Sequence, residues 1–355
     1  MCYVYNIDAL THVLTTCFIF TNFVLDQAII SIMRISLVIT VYNEEANIPR
    51  LFDSILEQTR LPDELIVCDG GSIDNTVSIM SKYSDQLPLT ILRRPGANIS
   101  TGRNVAIHES RGDVIVVTDA GVRLRSSWLE MITACFEQRE VVHAAGFFCT
   151  DAETVFEIAM GATVLPVLGD IRPQTFLPSS RSVAFRKQAW TTVGGYPEWL
   201  DYSEDVVFDL KMIDRFGKFT FVPEAMVQFQ PRSTIKQFAR QYFNYASGDG
   251  HAGLFLHIHG IRYFTYLIAI PLGIYTALTV NPTIWLLGII AGLAYIRRPI
   301  TRVNNLWHEL PTLDRVKAIL LIPMIKPTGL LLFLILFLKF LKILVTLIMF
   351  PLFFS

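Results

Sequence analysis

The sequence predicts an α/β domain followed by C-terminal transmembrane helices, and three observations carry that prediction. Short apolar runs rich in β-branched residues alternate with helix-length segments between residues 33 and 250, an order that calls for a parallel sheet with helices on both faces. Residues 263–296 contain no charged side chain. The 355-residue chain is 52% hydrophobic with a mean hydropathy of +0.43, too apolar for an ordinary soluble protein, although its first two thirds carry normal charge.

The elements follow in order. Residues 35–42 form a first strand, and Asn43 to Pro49 turn into a helix that runs to about Gln58. Residues 64–69 are a second strand closed by Asp69, with the turn Gly70 to Thr76 and a helix to about Tyr83 behind it. A short strand at 89–93 and a Gly-containing loop lead into a helix near Thr101-Gly102-Arg103-Asn104. The stretch Gly112 to Val122 then reads as a buried strand ending in Asp119 and a flexible turn. Ligands of open α/β sheets gather at the carboxyl ends of strands, which makes Asp69 and Asp119 candidate site residues. For Asp69 two readings stand: a hydrogen-bond acceptor for a ligand, or a turn-maker, since Asp before Gly is common in turns. No G-x-G-x-x-G string follows the first strand and no G-x-x-x-x-G-K-[ST] string is present, which disfavours a dinucleotide fold and a P-loop.

Farther on, 141–149 is another apolar strand, and Ser203-Glu204-Asp205 opens an amphipathic helix. Capping and dipole preferences explain that acidic start without any chemistry. Arg123 and Arg125 read as solvated surface charges. The net charge of −1 and the lack of an arginine-rich tract exclude a global attraction to nucleic acid. Five scattered cysteines (Cys2, Cys17, Cys68, Cys135, Cys149) show no C-x-x-C spacing and fit a reducing cytosol, with neither a disulfide framework nor a zinc site.

At the C-terminal end, Asn281-Pro282 divides 263–296 into a helical hairpin. Arg262 precedes it and Arg297, Arg298 and Arg302 follow, which places both ends on the cytoplasmic side of a bilayer. A further apolar segment spans about 316–354, most apolar from Leu330, with Lys339 and Lys342 inside it. Residues 1–32 are an apolar extension whose 13–25 core falls short of the ~20 residues a bilayer span needs. It is either a weak membrane-associated helix or an extension without function, and Met33 reads as the natural start of the domain.

Three strings together resemble the family-2 glycosyltransferases of GT-A fold: Thr40-Val41-Tyr42-Asn43-Glu44-Glu45, Asp69 followed by Gly71-Ser72-Ile73-Asp74-Asn75-Thr76, and Gly102-Arg103-Asn104 ahead of the Asp119 strand. The resemblance covers about 34–250 and implies a Rossmann-like mixed-sheet domain over 33–250, with a membrane-associated region at 251–355. It implies that Tyr42, Glu44, Asp69 and Arg103 bind the donor nucleotide, and that Asp119 holds a divalent cation, Mg²⁺ or Mn²⁺, on the diphosphate. The family's Asp-x-Asp motif here reads Asp119-Ala120-Gly121, leaving one carboxylate. Asp205 takes the place of the general base with Glu204 as its neighbour, and Gln237 and Arg240 match the element that meets the leaving diphosphate. Trp199 and Tyr202 offer flat faces for an acceptor, or belong to the core.

The expectation is therefore an inverting transferase that moves a sugar from a nucleotide-diphosphate donor to a hydroxyl of a lipid or lipid-linked glycan at the cytoplasmic membrane face. A processive polysaccharide synthase, a catalytically degenerate nucleotide-sugar-binding scaffold and a nucleotidyltransferase are the alternatives.

Overall fold

The computed structural model describes residues 33–306 and 310–325; the 1–32 extension and the apolar run beyond 325 lie outside the described residues. Eight strands form one sheet in the order β3-β2-β1-β4-β7-β6-β8-β5. They are β1 (Ile35–Val41), β2 (Glu64–Asp69), β3 (Leu89–Arg93), β4 (Val114–Asp119), β5 (Val122–Leu124), β6 (His143–Thr150), β7 (Val183–Arg186) and β8 (Thr220–Phe229).

The expected parallel arrangement holds for β3, β2, β1 and β4. Beyond β4 the sheet is mixed: β7 runs antiparallel to β4 and β6, and β5 antiparallel to β8. The reason lies in connection length. Parallel neighbours need a crossover helix, and α1 (Ile48–Leu56), α2 (Thr76–Ser81) and α3 (Ile99–Glu109) supply one each. The long excursion from β4 to β7 reverses the chain instead.

β1 and β4 occupy the middle of the parallel half, covered on both faces. Ile35, Leu37, Val38 and Ile39 of β1 and Val114 to Val117 of β4 are fully buried, which is why these strands read as mainly apolar runs. In α1 the buried Ile48, Leu51, Phe52 and Ile55 recur at helical spacing and cover one face of the sheet.

β4 and β5 are joined by Ala120-Gly121 alone, yet stand four places apart in the strand order. A two-residue link spans only about 11 Å, so the sheet curls until the β8/β5 edge returns beside the end of β4. That curl brings the segment after β8 over Asp119. It is held from inside by Trp128, whose indole Nε1 donates to Ser182 Oγ at 2.8 Å while Ser182 Oγ donates to the Ala225 carbonyl at 3.0 Å. Gly146 of β6 faces this junction, where a Cβ would lie 2.3 Å from Ala225 O and 2.0 Å from Ser182 Oγ.

Three more helices matter for the site: α4 (Val155–Val164), α5 (Glu204–Phe216) and α6 (Ile235–Ala252). After them come α7 (Leu256–Thr279), which contains a π turn at Thr265–Ala269, and α8 (Ile284–Asn305). Both are long and apolar enough to cross a membrane, and 6% of each apolar window is buried. Between them Asn281 Oδ1 accepts from the Thr283 N–H at 2.9 Å and forms the turn. The last turns of α8 are fastened to the sheet domain: Arg302 pairs with Asp170 at 2.8 Å and donates to the Ala162 carbonyl at 2.9 Å. Val303 packs with α4, Phe238 and Ile322 in a second apolar cluster.

Replacing Gly146 by Ala is expected to destabilise the fold by about 1–3 kcal/mol, because backbone rather than a flexible side-chain tip must yield. The apparent melting temperature in detergent should fall by several degrees, whereas Gly169→Ala, which meets nothing within 4 Å, should leave it unchanged.

Candidate active site

The sheet order reverses between β1 and β4, and the crevice at their carboxyl ends is where this architecture offers a ligand site. In register, Thr40 of β1 lies beside Asp119, and Val41 lies beside Asp69. Two cavities open along this edge and share Thr40, Glu44 and Ile99. One of about 180 Å³ is lined by Tyr42, Cys68, Gly70 and Gly102. The other, of about 430 Å³, is lined by Asp119, Gly121, Arg181, Arg232 and Gln237.

The loops that shape the smaller cavity are cross-tied. Asn43, in a left-handed backbone conformation, donates its N–H to Ser72 Oγ at 2.9 Å and accepts from the Ile73 N–H at 2.9 Å. Glu45 Oε2 accepts from the Asn75 N–H at 2.9 Å, and the Glu44 N–H donates to Thr76 Oγ1 at 2.7 Å. These ties fix Glu44 between the two cavities, where burial raises its pKa against the pull of Asn47 and Arg232. Tyr42 stands exposed at the mouth.

Asp69 is fully buried. One of its oxygens accepts from the Ser72 N–H at 3.0 Å and the other lies 3.4 Å from Arg93 Nε, so here it organises its turn and lines neither cavity. Arg103, expected at the nucleotide, is turned inward: its side chain is 2% exposed and both terminal nitrogens are engaged. Nη2 donates to Asp119 Oδ1 at 2.9 Å and Nη1 to Glu204 Oε1 at 2.6 Å. The guanidinium also lies over the Tyr196 ring, which stacks on Phe208 at 4.1 Å. Burial works against the Arg103 charge, but Glu204 and Asp119 outweigh it and raise its pKa.

Glu204 and Asp205 open α5, as expected from the sequence. Burial, opposed by Arg103 and reinforced by the Asp205 charge, lifts Glu204 to about 7. Asp205 is half-buried and takes the Val206 N–H on Oδ1 at 2.9 Å. One turn on, Asp209 is buried with one oxygen unpartnered, and burial together with the Asp205 charge raises it well above the carboxylate range. Asp119, Glu204 and Asp205 are thus gathered around one guanidinium, although Asp205 lines neither cavity.

Two cations face the larger cavity that sequence reasoning did not single out. Arg181 is stacked over Phe229 at 4.2 Å, donates to Ser179 Oγ at 3.0 Å and lies 4.0 Å from Asp119 Oδ2. Arg232 follows β8 and reaches the site through the curl of the sheet. Of the expected diphosphate pair, Gln237 lines the cavity together with Gln241 and Tyr245, which share its helix face; Arg240 is exposed and does not. Trp199 and Tyr202 are exposed on the loop that Asn98 holds through the Glu198 carbonyl at 2.8 Å, and they line neither cavity.

Among the described residues no three His, Cys, Asp or Glu side chains converge as a metal cage. Asp119 keeps about a third of its side chain open to the cavity. That donor set fits a cation held by one carboxylate, with phosphate oxygens and water completing the shell, as Mg²⁺ permits.

The glycosyl transferase family 2 model matches residues 36–185. The O-antigen chain rhamnosyltransferase RfbN of Salmonella typhimurium is 26% identical over 234 residues, covering 62% of this chain and 73% of that protein. The hyaluronan synthase of Pasteurella multocida is 23% identical over 68% of this chain and 25% of its own length. Among solved structures, the mannosyltransferase PcManGT of Pyrobaculum calidifontis in complex with GDP-Man and Mn²⁺ superposes with a TM-score of 0.51 at 15% identity, covering 85% of this chain and 86% of that one. The family match on strands β1 to β7 and the shared fold lead to one conclusion: residues 36–185 are a family 2 glycosyltransferase domain, built on a GT-A-type mixed sheet.

Proposed function

We propose that the enzyme transfers a sugar, with inversion, from a nucleotide-diphosphate sugar to a hydroxyl of a lipid or lipid-linked glycan at the cytoplasmic membrane face. The observation that carries this is the crevice at the β1/β4 switch point, where Asp119, Arg181 and Arg232 face one cavity beside a smaller one bounded by Tyr42 and Glu44. The nucleoside belongs in the smaller cavity and the diphosphate in the larger.

The acceptor oxygen attacks the anomeric carbon as the bond from that carbon to the diphosphate oxygen breaks. The hydroxyl proton passes to Asp205, and the nucleoside diphosphate leaves with its added charge met by Arg181, Arg232 and Gln237. Cations fixed in a cavity stabilise a leaving diphosphate without reorganising, a large catalytic contribution. Asp119 would hold the divalent cation, which supplies further charge neutralisation on the diphosphate when bound. Glu204 holds Arg103, and through it the end of β4, rather than exchanging protons itself.

The likeness to O-antigen rhamnosyltransferases supports a lipid-linked glycan as acceptor. α7 and α8 support a membrane hairpin, since large apolar side chains such as Leu272, Leu278, Leu287 and Ile290 stand exposed along both. Arg297, Arg298 and Arg302 mark the cytoplasmic end. The bonds from Arg302 to Asp170 and Ala162 support the sheet domain on that same side.

Binding of UDP, GDP and dTDP to the detergent-solubilised chain, with and without Mn²⁺ or Mg²⁺, tests this reading. One nucleotide should bind in a metal-dependent way, Asp119→Asn should weaken that binding, and Asp205→Asn should keep it while slowing turnover by about 10²–10⁴. If no nucleotide binds under any condition, a scaffold replaces the transferase reading. Arg232→Ala should cost the diphosphate about 10- to 100-fold in affinity, the worth of a charge-assisted contact, and leave the free nucleoside unaffected. Gly121→Asp should lower the Mn²⁺ concentration needed for half-maximal binding by about tenfold. A Cβ there meets nothing within 4 Å, and the position lines the cavity, so a second carboxylate has room.

A further inference from the structure

Ser203, the residue before the acidic pair, has φ +61°, a left-handed conformation that a non-glycine residue keeps only when its surroundings impose it. Serine at this position ordinarily caps its own helix, yet here the side chain makes no cap bond to α5. Its hydroxyl is diverted: Oγ donates to Asp249 Oδ1 at 2.9 Å. The other Asp249 oxygen, Oδ2, lies 3.2 Å from His259 Nε2. His259 is 8% exposed, in the first turn of α7, ahead of Arg262 and the charge-free stretch.

Two features of the chain make this contact. α6 ends in a tight corner, with Gly253 and Phe255 both left-handed, which folds the start of α7 back onto Asp249. Gly248, beside Asp249, lets the backbones touch, since a Cβ there would stand 2.4 Å from the Tyr202 carbonyl oxygen. The three side chains run serine, aspartate, histidine, with the carboxylate in the middle. The serine hydroxyl gives its proton to a carboxylate and not to an imidazole, so no nucleophile is activated, in contrast to a hydrolase triad. What remains for the relay is orientation.

We propose that His259 is a positioning residue of glycosyl transfer, holding the Ser203 turn through Asp249 so that Glu204 meets Arg103 and Asp205 is aimed at the acceptor. The first turn of the apolar helix α7 thereby becomes part of the catalytic apparatus, and the geometry of the acidic pair depends on how that helix is seated. The aim of Asp205 at the acceptor, though not the hold on Glu204, rests on Asp205 being the base.

The test uses the full chain in detergent and the nucleotide sugar selected by the nucleotide panel. Turnover is read as nucleoside diphosphate release, and amide hydrogen exchange is followed over residues 203–207. His259→Ala should lower kcat about 10- to 100-fold, as for groups that orient a reacting residue, with the donor KM unchanged. Exchange at 203–207 should quicken while β2 keeps its protection. His259→Gln, whose amide nitrogen reaches the place of Nε2, should restore most of kcat and the protection. The proposal is overturned if His259→Ala turns over at the wild-type rate, if its effect falls on donor KM with kcat intact, or if His259→Gln is as slow as His259→Ala. Asp205→Asn in parallel separates the two ideas. Should it keep full turnover while the His259 pattern holds, the base assignment fails and the relay stands; should it abolish turnover while His259→Ala is neutral, the relay fails alone.

Discussion

The guanidinium of Arg103 is the constraint on which the site depends. It is buried, and a buried charge is tolerated only with partners that meet its donors. Its two partners come from elements 85 positions apart, Asp119 at the end of β4 and Glu204 at the start of α5. A single planar group with fixed donor directions therefore sets the distance between the strand end that faces the larger cavity and the helix start that carries Asp205. Removing one partner of such a pair typically costs about 3–5 kcal/mol, because the other charge is left unmet. The same group rests on Tyr196, itself stacked on Phe208, so the ion triad is anchored in the apolar core and not at a mobile rim.

Much of this was legible in the chain. The strands β1, β2 and β4 announce themselves because both their faces are covered, so their middles are apolar, and β2 and β4 each end in an aspartate. Glu204-Asp205 was found at a helix start, where it stands. β8 was passed over: Pro223 and Glu224 interrupt its apolar pattern, and its pairing with β6 carries an irregularity between Ala145 and Phe147. The cations went unseen for a related reason. Arg181 and Arg232 are single arginines in polar surroundings; the antiparallel pairing of β7 with β4 sets Arg181 beside Asp119, and the curl that returns β8 to the end of β4 brings Arg232 to the same cavity. Arg103 stands out in the sequence, but spacing does not say that its side chain turns inward to Asp119 and Glu204. Local pattern reports burial well; it does not report which distant segments meet.

The apolar helices and the sheet domain are one mechanical unit at their point of contact. Arg302 meets Asp170 Oδ2 with both Nε and Nη2 and donates a third bond to the Ala162 carbonyl, in the last turn of α4. Glu157, in the first turn of that helix, reaches back to the N–H groups of Glu153 and Thr154 and lines the larger cavity. α4 therefore has its first turn in the cavity wall and its last turn on α8. A helix of ten residues is a stiff strut, about 15 Å long, and transmits position rather than absorbing it.

The departure from the Asp-x-Asp motif follows a charge argument. A diphosphate brings at least two negative charges into a cavity, and either bound cations or fixed protein cations must meet them. At this site Asp119 contributes one carboxylate, and Arg103 and Arg181 already stand against it at 2.9 Å and 4.0 Å. A second acid at 121 would strengthen the hold on a divalent cation but would lower the net positive charge that the two arginines and Arg232 present. The space for that acid exists, as nothing approaches a Cβ on Gly121 within 4 Å, so sterics do not explain the glycine. In the function proposed above, this arrangement would place more of the work of holding the diphosphate on guanidinium groups, which keep their charge at every pH the cell visits, and less on an ion whose occupancy varies with supply. In this site Ala120-Gly121 also makes the two-residue crossing from β4 to β5, with Ala120 buried beneath it, so the link that curls the sheet is also the place where the second acid of the motif is missing.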